Sequence, residues 1–292
     1  MQQAVVIALA SEFSPAEIAS LRDFLALDCE ISAEEVVVAG EVASCACVRF
    51  FVSTSTDLLD LRRKATDVFP KIDFAVRTRE AFLTKPKLAA FDMDSTLITC
   101  EVIDELAKLA GVGDQVSSVT AAAMRGELDF QQSFRQRIGL LRGLDALKVE
   151  RLLETICLSE GAERLFRTLR QQGCKTAILS GGFSFVGRRL QSKLGIDFVH
   201  TNKLDLAEGA VAGTVTSQIV DGAAKAAFFS SIAESEGISH DQTIAVGDGA
   251  NDLPMLQLAG LGVAYRAKPA LREQADAVID NVALDGVLEM WA

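Results

Sequence analysis

The chain has 292 residues, 49% hydrophobic and 24% charged, which is apolar enough for ordinary globular cores and long enough for two of them. Its formal net charge of −11 offers no footprint for a phosphate backbone, which argues against nucleic acid as a partner. An acidic chain that handles a small anion needs local cations, so a metal ion and a few placed Lys or Arg residues become informative.

The first ten residues are apolar but lack a cationic lead-in and soon meet Glu12, a poor pattern for a signal peptide. No apolar run approaches the about 18 residues that span a bilayer, so no membrane partner is expected and the cytoplasm is the expected compartment. Residues 4–9 form a short apolar strand, and Ser14-Pro15-Ala16-Glu17 then opens a helix with a capping serine and a first-turn proline. Residues 35–38 and 46–52 read as β-rich runs on either side of Gly40, a hairpin. A helix over about 57–68 stops at Pro70, and a last strand covers about 73–77. The order β-α-β-β-α-β predicts an α+β, ferredoxin-like domain over residues 1–85, with nothing catalytic in it.

From residue 86 to residue 292 the texture is alternating α/β. Short apolar runs at 88–91, 176–179, 243–246 and 262–264 alternate with helical patterns, which predicts a parallel, Rossmann-like sheet with ligands at the carboxyl ends of its strands. A long helical stretch over about 101–159 holds no convincing strand and reads as an inserted cap. A second departure, about 203–220, alternates β-formers around Glu208-Gly209 and reads as a hairpin. The six cysteines are scattered without two-residue zinc or redox spacing, so they are expected as free thiols.

Two segments carry most of the chemistry. Phe91-Asp92-Met93-Asp94-Ser95-Thr96-Leu97 follows the first core strand, and carboxylates two apart on extended chain address one side. The bland alternative is a helix cap at Asp94 or Ser95. Gly247-Asp248-Gly249-Ala250-Asn251-Asp252-Leu253-Pro254-Met255 also follows an apolar strand, and its oxygen-bearing side chains among glycines suit a hard cation. Its glycine spacing ends in Asp252, so the dinucleotide fingerprint fails, and Gly182 to Gly187 lacks the Lys-Ser/Thr of a P-loop. Ser180-Gly181-Gly182-Phe183 is expected just after a strand, at a helix N-terminus, where a hydroxyl and backbone N–H groups can cradle phosphate. Lys225 opens another helical pattern and would, alone, be a solvated surface lysine.

These four segments, in this order, resemble the motifs of the haloacid dehalogenase superfamily. More narrowly, the chain is similar to the phosphoserine phosphatases over about residues 87–285, including Glu101-Val102-Ile103-Asp104-Glu105-Leu106 and Ala123-Met124-Arg125-Gly126-Glu127-Leu128-Asp129-Phe130 in the cap. The resemblance implies Mg2+-dependent hydrolysis of O-phospho-L-serine, the last step of serine biosynthesis. In it Asp92 is the nucleophile that becomes an aspartyl-phosphate and Asp94 the general acid and base. The metal would be held by Asp92, the backbone carbonyl of Asp94 and Asp248, with Asp252 supporting. Ser180, Gly181, Lys225 and Asn251 would bind the phosphoryl group. Glu101 would receive the substrate ammonium and Arg137 its carboxylate, while Met124 and Phe130 shield the site. Residues 1–85 resemble a regulatory ACT-type domain in element order only, since Ser11-Glu12-Phe13-Ser14 replaces the glycine-bearing loop. Homodimerisation through that domain and simple packing are equal expectations. The rival readings are a phosphatase or phosphotransferase of the same superfamily acting on another small phosphomonoester, and a serine-sensing regulator with an idle catalytic scaffold.

Overall fold

The computed structural model describes residues 1–40 and 42–292. The N-terminal elements are β1 (Gln2–Ala10), α1 (Pro15–Leu25), β2 (Cys29–Val37), β3 (Ala46–Thr54), α2 (Leu58–Val68), β4 (Asp73–Thr78) and the short α3 (Arg79–Leu83). Ser14 caps α1 through a capping box with Glu17, in which each side chain satisfies the other's backbone N–H. β2 begins at Cys29 rather than near Glu35. Half-buried Cys29 and Ile31 alternate there with exposed Glu30 and Ser32, too short a pattern to read alone, while pairing with β3 from Cys29↔Thr54 onward fixes it.

The core follows: β5 (Leu88–Phe91), α4 (Val102–Ala110), α5 (Gly113–Met124), α6 (Phe130–Leu140), α7 (Ala146–Leu152), α8 (Ala162–Gln171), β6 (Lys175–Phe183), α9 (Ser184–Leu194) and β7 (Phe198–Asn202). Next come the two-residue strands β8 (Leu206–Ala207) and β9 (Ala210–Val211), then α10 (Gly222–Ser235), β10 (Thr243–Gly247), α11 (Leu253–Leu258), β11 (Leu261–Tyr265), α12 (Pro269–Arg272) and β12 (Ala277–Ile279). Helices α4–α7 fall between β5 and β6, in the 101–159 stretch. The β8–β9 hairpin turns at Glu208-Gly209, both at positive φ (51° and 78°). It braces the cap, with the Gly143 N–H donating to the Val211 carbonyl at 2.9 Å and the Ala146 N–H to that of Gly209 at 2.9 Å.

One ten-stranded sheet runs through the molecule in the order β2-β3-β1-β4-β12-β11-β10-β5-β6-β7. The six core strands are parallel, and β12 meets β4 antiparallel at Ala277↔Ala75 and Val278↔Phe74. Sequence periodicity misses β7 and β12: one carries polar His200, Thr201 and Asn202, the other has three residues. Chain order reverses around β5, with β6 and β7 on one side and β10 to β12 on the other. That opens a crevice at the carboxyl ends of β5, β6 and β10.

The apolar run of β1 is buried on both faces. Ala4, Val6 and Ala8 pack with Leu21, Leu25 and Leu61, while Val5, Ile7 and Leu9 join the cluster holding Phe91, Val287 and Met290. The C-terminal 3-10 segment Leu284–Met290 is thus laid against the N-terminal unit, and buried polar groups fix it. Arg49 Nη2 pairs with Glu289 Oε2 at 2.6 Å, Arg77 Nη1 donates to the Met290 carbonyl at 2.7 Å, and Ser44 N–H donates to Asp285 Oδ2 at 2.8 Å. Asp73, 2% exposed, accepts from the N–H groups of Asp280 (3.0 Å), Asn281 (2.9 Å) and Val282 (2.9 Å). Asp73→Ala strands these donors and should cost about 2–4 kcal/mol, read as a lower urea midpoint with an unchanged slope.

Candidate active site

The strand ends deliver the carboxylates. Asp92 leaves β5 with its N–H still in the ladder, donating to the Val246 carbonyl at 2.9 Å. Its Oδ1 accepts from the Met93 N–H at 2.7 Å and pairs with Lys225 Nζ at 2.9 Å. Asp248 follows β10, and Asp252 sits four residues on, in the 3-10 turn Ala250–Asp252. Asp252 is fully buried: Oδ1 takes Lys225 Nζ at 2.6 Å, and Oδ2 accepts the N–H groups of Asp248 (3.2 Å) and Gly249 (3.0 Å). Gly247 is required here, because a Cβ would lie 2.4 Å from Asp252 Cγ.

Lys225, whose bland reading is a solvated lysine, has no exposed surface. Burial pulls its pKa down, but the carboxylates of Asp252 and Asp92 outweigh that and raise it, so the ammonium stays charged. Asp248 is pushed up to about 7 by burial, then by the like charges of Asp92 and Asp252. Such crowding asks for a cation. One carboxylate oxygen from each of Asp92, Asp248 and Asp252 lies within 4.8 Å of the others, an all-oxygen set suited to a hard divalent ion. Both Asp252 oxygens are already engaged, whereas Asp92 Oδ2 has no protein partner among the described residues. The residues therefore fit a divalent metal held by Asp92 and Asp248 and backed by Asp252.

Asp94, two residues past Asp92, accepts from the Val102 N–H at 3.3 Å through Oδ2, while its buried Oδ1 has no partner among the described residues. Burial, then Glu101 and Asp92, hold its carboxyl well above the usual range, favouring the protonated form. Ser95, at φ 57°, turns the chain so that its hydroxyl donates to Glu101 Oε1 at 2.8 Å. Gly182 lets the β6 strand end approach, since a Cβ there would lie 2.4 Å from Met93 Cε and 3.1 Å from Asp94 Oδ1.

One cavity of about 510 Å³ opens onto Asp92, Asp94, Glu101, Met124, Phe130, Arg137, Ser180, Gly181, Asp248 and Asn251. The structure brings these ten sequence-predicted residues together around it, with Lys225 and Asp252 buried beneath. Arg137 enters from the last turn of α6; burial lowers its pKa against the pull of Glu101, and its buried Nε has no partner among the described residues. Phe130 stacks on Phe134 with ring centres 6.1 Å apart, forming an aromatic wall, whereas Met124 is 77% exposed at the rim. Ser180 and Gly181 lie within β6, which runs to Phe183 before α9 starts at Ser184. The expected strand end at Leu179 is therefore corrected, since β7 pairs again at Phe183↔Asn202 and prolongs the strand, while the helix does begin directly after the motif. Sequence reasoning passes over Asp104, Thr120, Phe134 and Lys268, which also line the cavity. Lys268 Nζ stands 3.8 Å from Asp248 Oδ2. None of these four belongs to a run of oxygen-bearing residues after a core strand, the local signal that marked Asp92 to Asp94 and Asp248 to Asp252.

Residues 86–260 match the family of haloacid dehalogenase-like hydrolases. A phosphoserine phosphatase from Archaeoglobus fulgidus is 44% identical over 227 residues, covering 78% of this chain and 65% of that protein. The chain spans between about half and two thirds of the length of several such curated relatives. Among solved structures, a HAD family hydrolase from Salmonella enterica serovar Typhi superposes with a TM-score of 0.90 at 27% identity, covering 99% of this chain and 98% of that one. A structure described as a phospho-aspartyl intermediate analogue of phosphoserine phosphatase matches at 41% identity and a TM-score of 0.67, covering 71% of this chain and all of that one. By the match of its core, the chain belongs to the haloacid dehalogenase-like hydrolases and, within them, to the phosphoserine phosphatase family.

Proposed function

We propose that the chain is a Mg2+-dependent phosphatase hydrolysing O-phospho-L-serine to serine and phosphate through a phosphorylated Asp92. The observation that carries the reading is one cavity with the paired Asp92 and Asp94 at its floor and Glu101 and Arg137 on its cap side. Phosphoserine presents a phosphate, an ammonium and a carboxylate. Asp92 as nucleophile, Glu101 as acceptor and Arg137 as a bidentate donor answer each in turn.

The Asp92 carboxylate attacks phosphorus as the ester oxygen departs, and protonated Asp94 gives that oxygen its proton. Water then attacks the aspartyl-phosphate, losing its proton to Asp94 and releasing phosphate with Asp92 restored. Lys225, the Ser180 hydroxyl, the Gly181 N–H and Asn251 neutralise the phosphoryl oxygens, the charge stabilisation that phosphoryl transfer chiefly needs. Mg2+, held by Asp92, the Asp94 carbonyl and Asp248, would supply further positive charge at those oxygens. Phe130 and Met124 limit access of bulk water. Among the described residues no helix is long and apolar enough to cross a membrane. We propose the cytoplasm as the compartment because all six cysteines stand as free thiols, which suits a reducing environment. The strand order of residues 1–85 supports a ferredoxin-like, ACT-type unit, whose role we take to be packing or self-association.

The test is phosphate release from L-phosphoserine against a panel of phosphomonoesters, with Mg2+ and with EDTA. Metal-dependent preference for phosphoserine is expected. Equal turnover of a sugar phosphate would move the substrate and keep Asp92; no turnover of any ester would leave a sensor. Arg137→Ala should lower kcat/KM for phosphoserine by about 2–3 kcal/mol, roughly 30- to 150-fold, and p-nitrophenyl phosphate far less. An unchanged ratio between the two would remove Arg137 from the substrate site.

A further inference from the structure

Between Leu179↔His200 and Phe183↔Asn202, β6 advances four residues while β7 advances two. Ser180, Gly181 and Gly182 therefore bulge out of the ladder, and a backbone carbonyl in such a bulge loses its strand partner. Asn202 replaces it. This side chain, with no exposed surface, donates from Nδ2 to the Gly181 carbonyl at 2.8 Å and accepts at Oδ1 from the Val220 N–H at 2.8 Å.

The Gly181 carbonyl and the Gly182 N–H belong to one planar peptide unit. Holding the carbonyl on Asn202 fixes where that N–H points, and it donates to Ser180 Oγ at 3.0 Å. With its oxygen so occupied, and with no acceptor for its proton among the described residues, the Ser180 hydroxyl is left to donate into the cavity. The other end of Asn202 holds Val220, next to Asp221, whose side chain caps the helix α10 that carries Lys225. One buried amide thus joins the two segments that address the phosphoryl oxygens.

We infer that Asn202 is a positioning residue for the phosphoryl site, acting through the Gly181–Gly182 peptide to orient the Ser180 hydroxyl. This rests on the proposed phosphatase activity. Asn202 touches no substrate; its effect passes through Ser180, which separates it from a residue that only stabilises the fold.

The measurement is the inhibition constant of inorganic phosphate, together with kcat for L-phosphoserine, in wild type, Asn202→Asp, Ser180→Ala and the double variant. Asn202→Asp keeps the acceptor for Val220 and replaces the donor to Gly181 with a carboxylate oxygen that repels the carbonyl. It should raise the phosphate inhibition constant about tenfold and lower kcat about tenfold, a range set by the loss of one buried hydrogen bond. The Mg2+ activation constant should stay within about twofold, and adding Asn202→Asp to Ser180→Ala should cost less than about twofold more, since coupled residues are not additive. If Asn202→Asp does not fold, Asn202→Ser, too short to reach both partners, carries the same expectations. Wild-type phosphate inhibition in the variant, or full multiplication of the two effects, would overturn the inference while leaving the phosphatase activity intact. A wild-type protein neither inhibited by phosphate nor active on any phosphomonoester would overturn both.

Discussion

Asp92→Asn is expected to lower turnover of phosphoserine by roughly ten-thousand-fold or more while the chain stays folded. An amide cannot form the phosphoryl-enzyme, so the loss falls on the chemical step. The fold should tolerate the change for reasons visible around the side chain. The amide oxygen can still accept the Met93 N–H, which lies at 2.7 Å, and Lys225 keeps Asp252 at 2.6 Å. One of three crowded carboxylates also loses its charge, which relieves part of the repulsion that, after burial, pushes Asp248 up to about 7. The measurements are a single-turnover assay and a thermal melt on mass-verified protein. Native-like turnover in a fully amidated sample would rule out covalent catalysis at this position.

Asp94→Asn should be nearly as damaging for phosphoserine, by about 10²- to 10⁴-fold, the usual worth of a general acid or base. The discriminating feature is leaving-group dependence. An alkoxide such as that of serine needs a proton as it departs, and the raised pKa of Asp94, caused first by burial and then by Glu101 and Asp92, keeps one available. p-Nitrophenolate leaves without help, so phosphorylation of Asp92 by its ester should suffer much less than phosphorylation by phosphoserine. Burst kinetics with p-nitrophenyl phosphate would show this directly: a rapid first turnover, then a stalled second step because the attacking water also needs its base. Equal losses with both esters in the first step would remove Asp94 as the acid.

These two residues, and most of the site, are legible in the sequence because the chemistry is local. Asp92 and Asp94 share a strand end, Ser180 to Gly182 lie in the last residues of another strand, and Asp248 to Asp252 occupy a glycine-rich turn after a third. Strand periodicity fixes which way such side chains face. Lys225 is the harder case. A lysine in a helical pattern looks solvated, and only the fold shows that it is fully buried between Asp92 and Asp252. Asn202 leaves no mark at all, since a single amide at a strand end is commonplace until its two partners are known.

The sequence alone determined the α/β core, the helical stretch after β5, the β-hairpin around Glu208-Gly209 and the acidic, glycine-rich turn after β10, since each arises from residues close in the chain. The tertiary structure decided the rest, where partners lie far apart. It prolonged β6 through the Ser180 motif by pairing Phe183 with Asn202, and it joined β4 to β12 so that one sheet crosses the boundary near residue 85. It also covered the second face of β1 with the segment Leu284–Met290. A continuous apolar strand announces that both faces must be buried, but not by what; that depends on packing between segments more than 270 residues apart in the sequence.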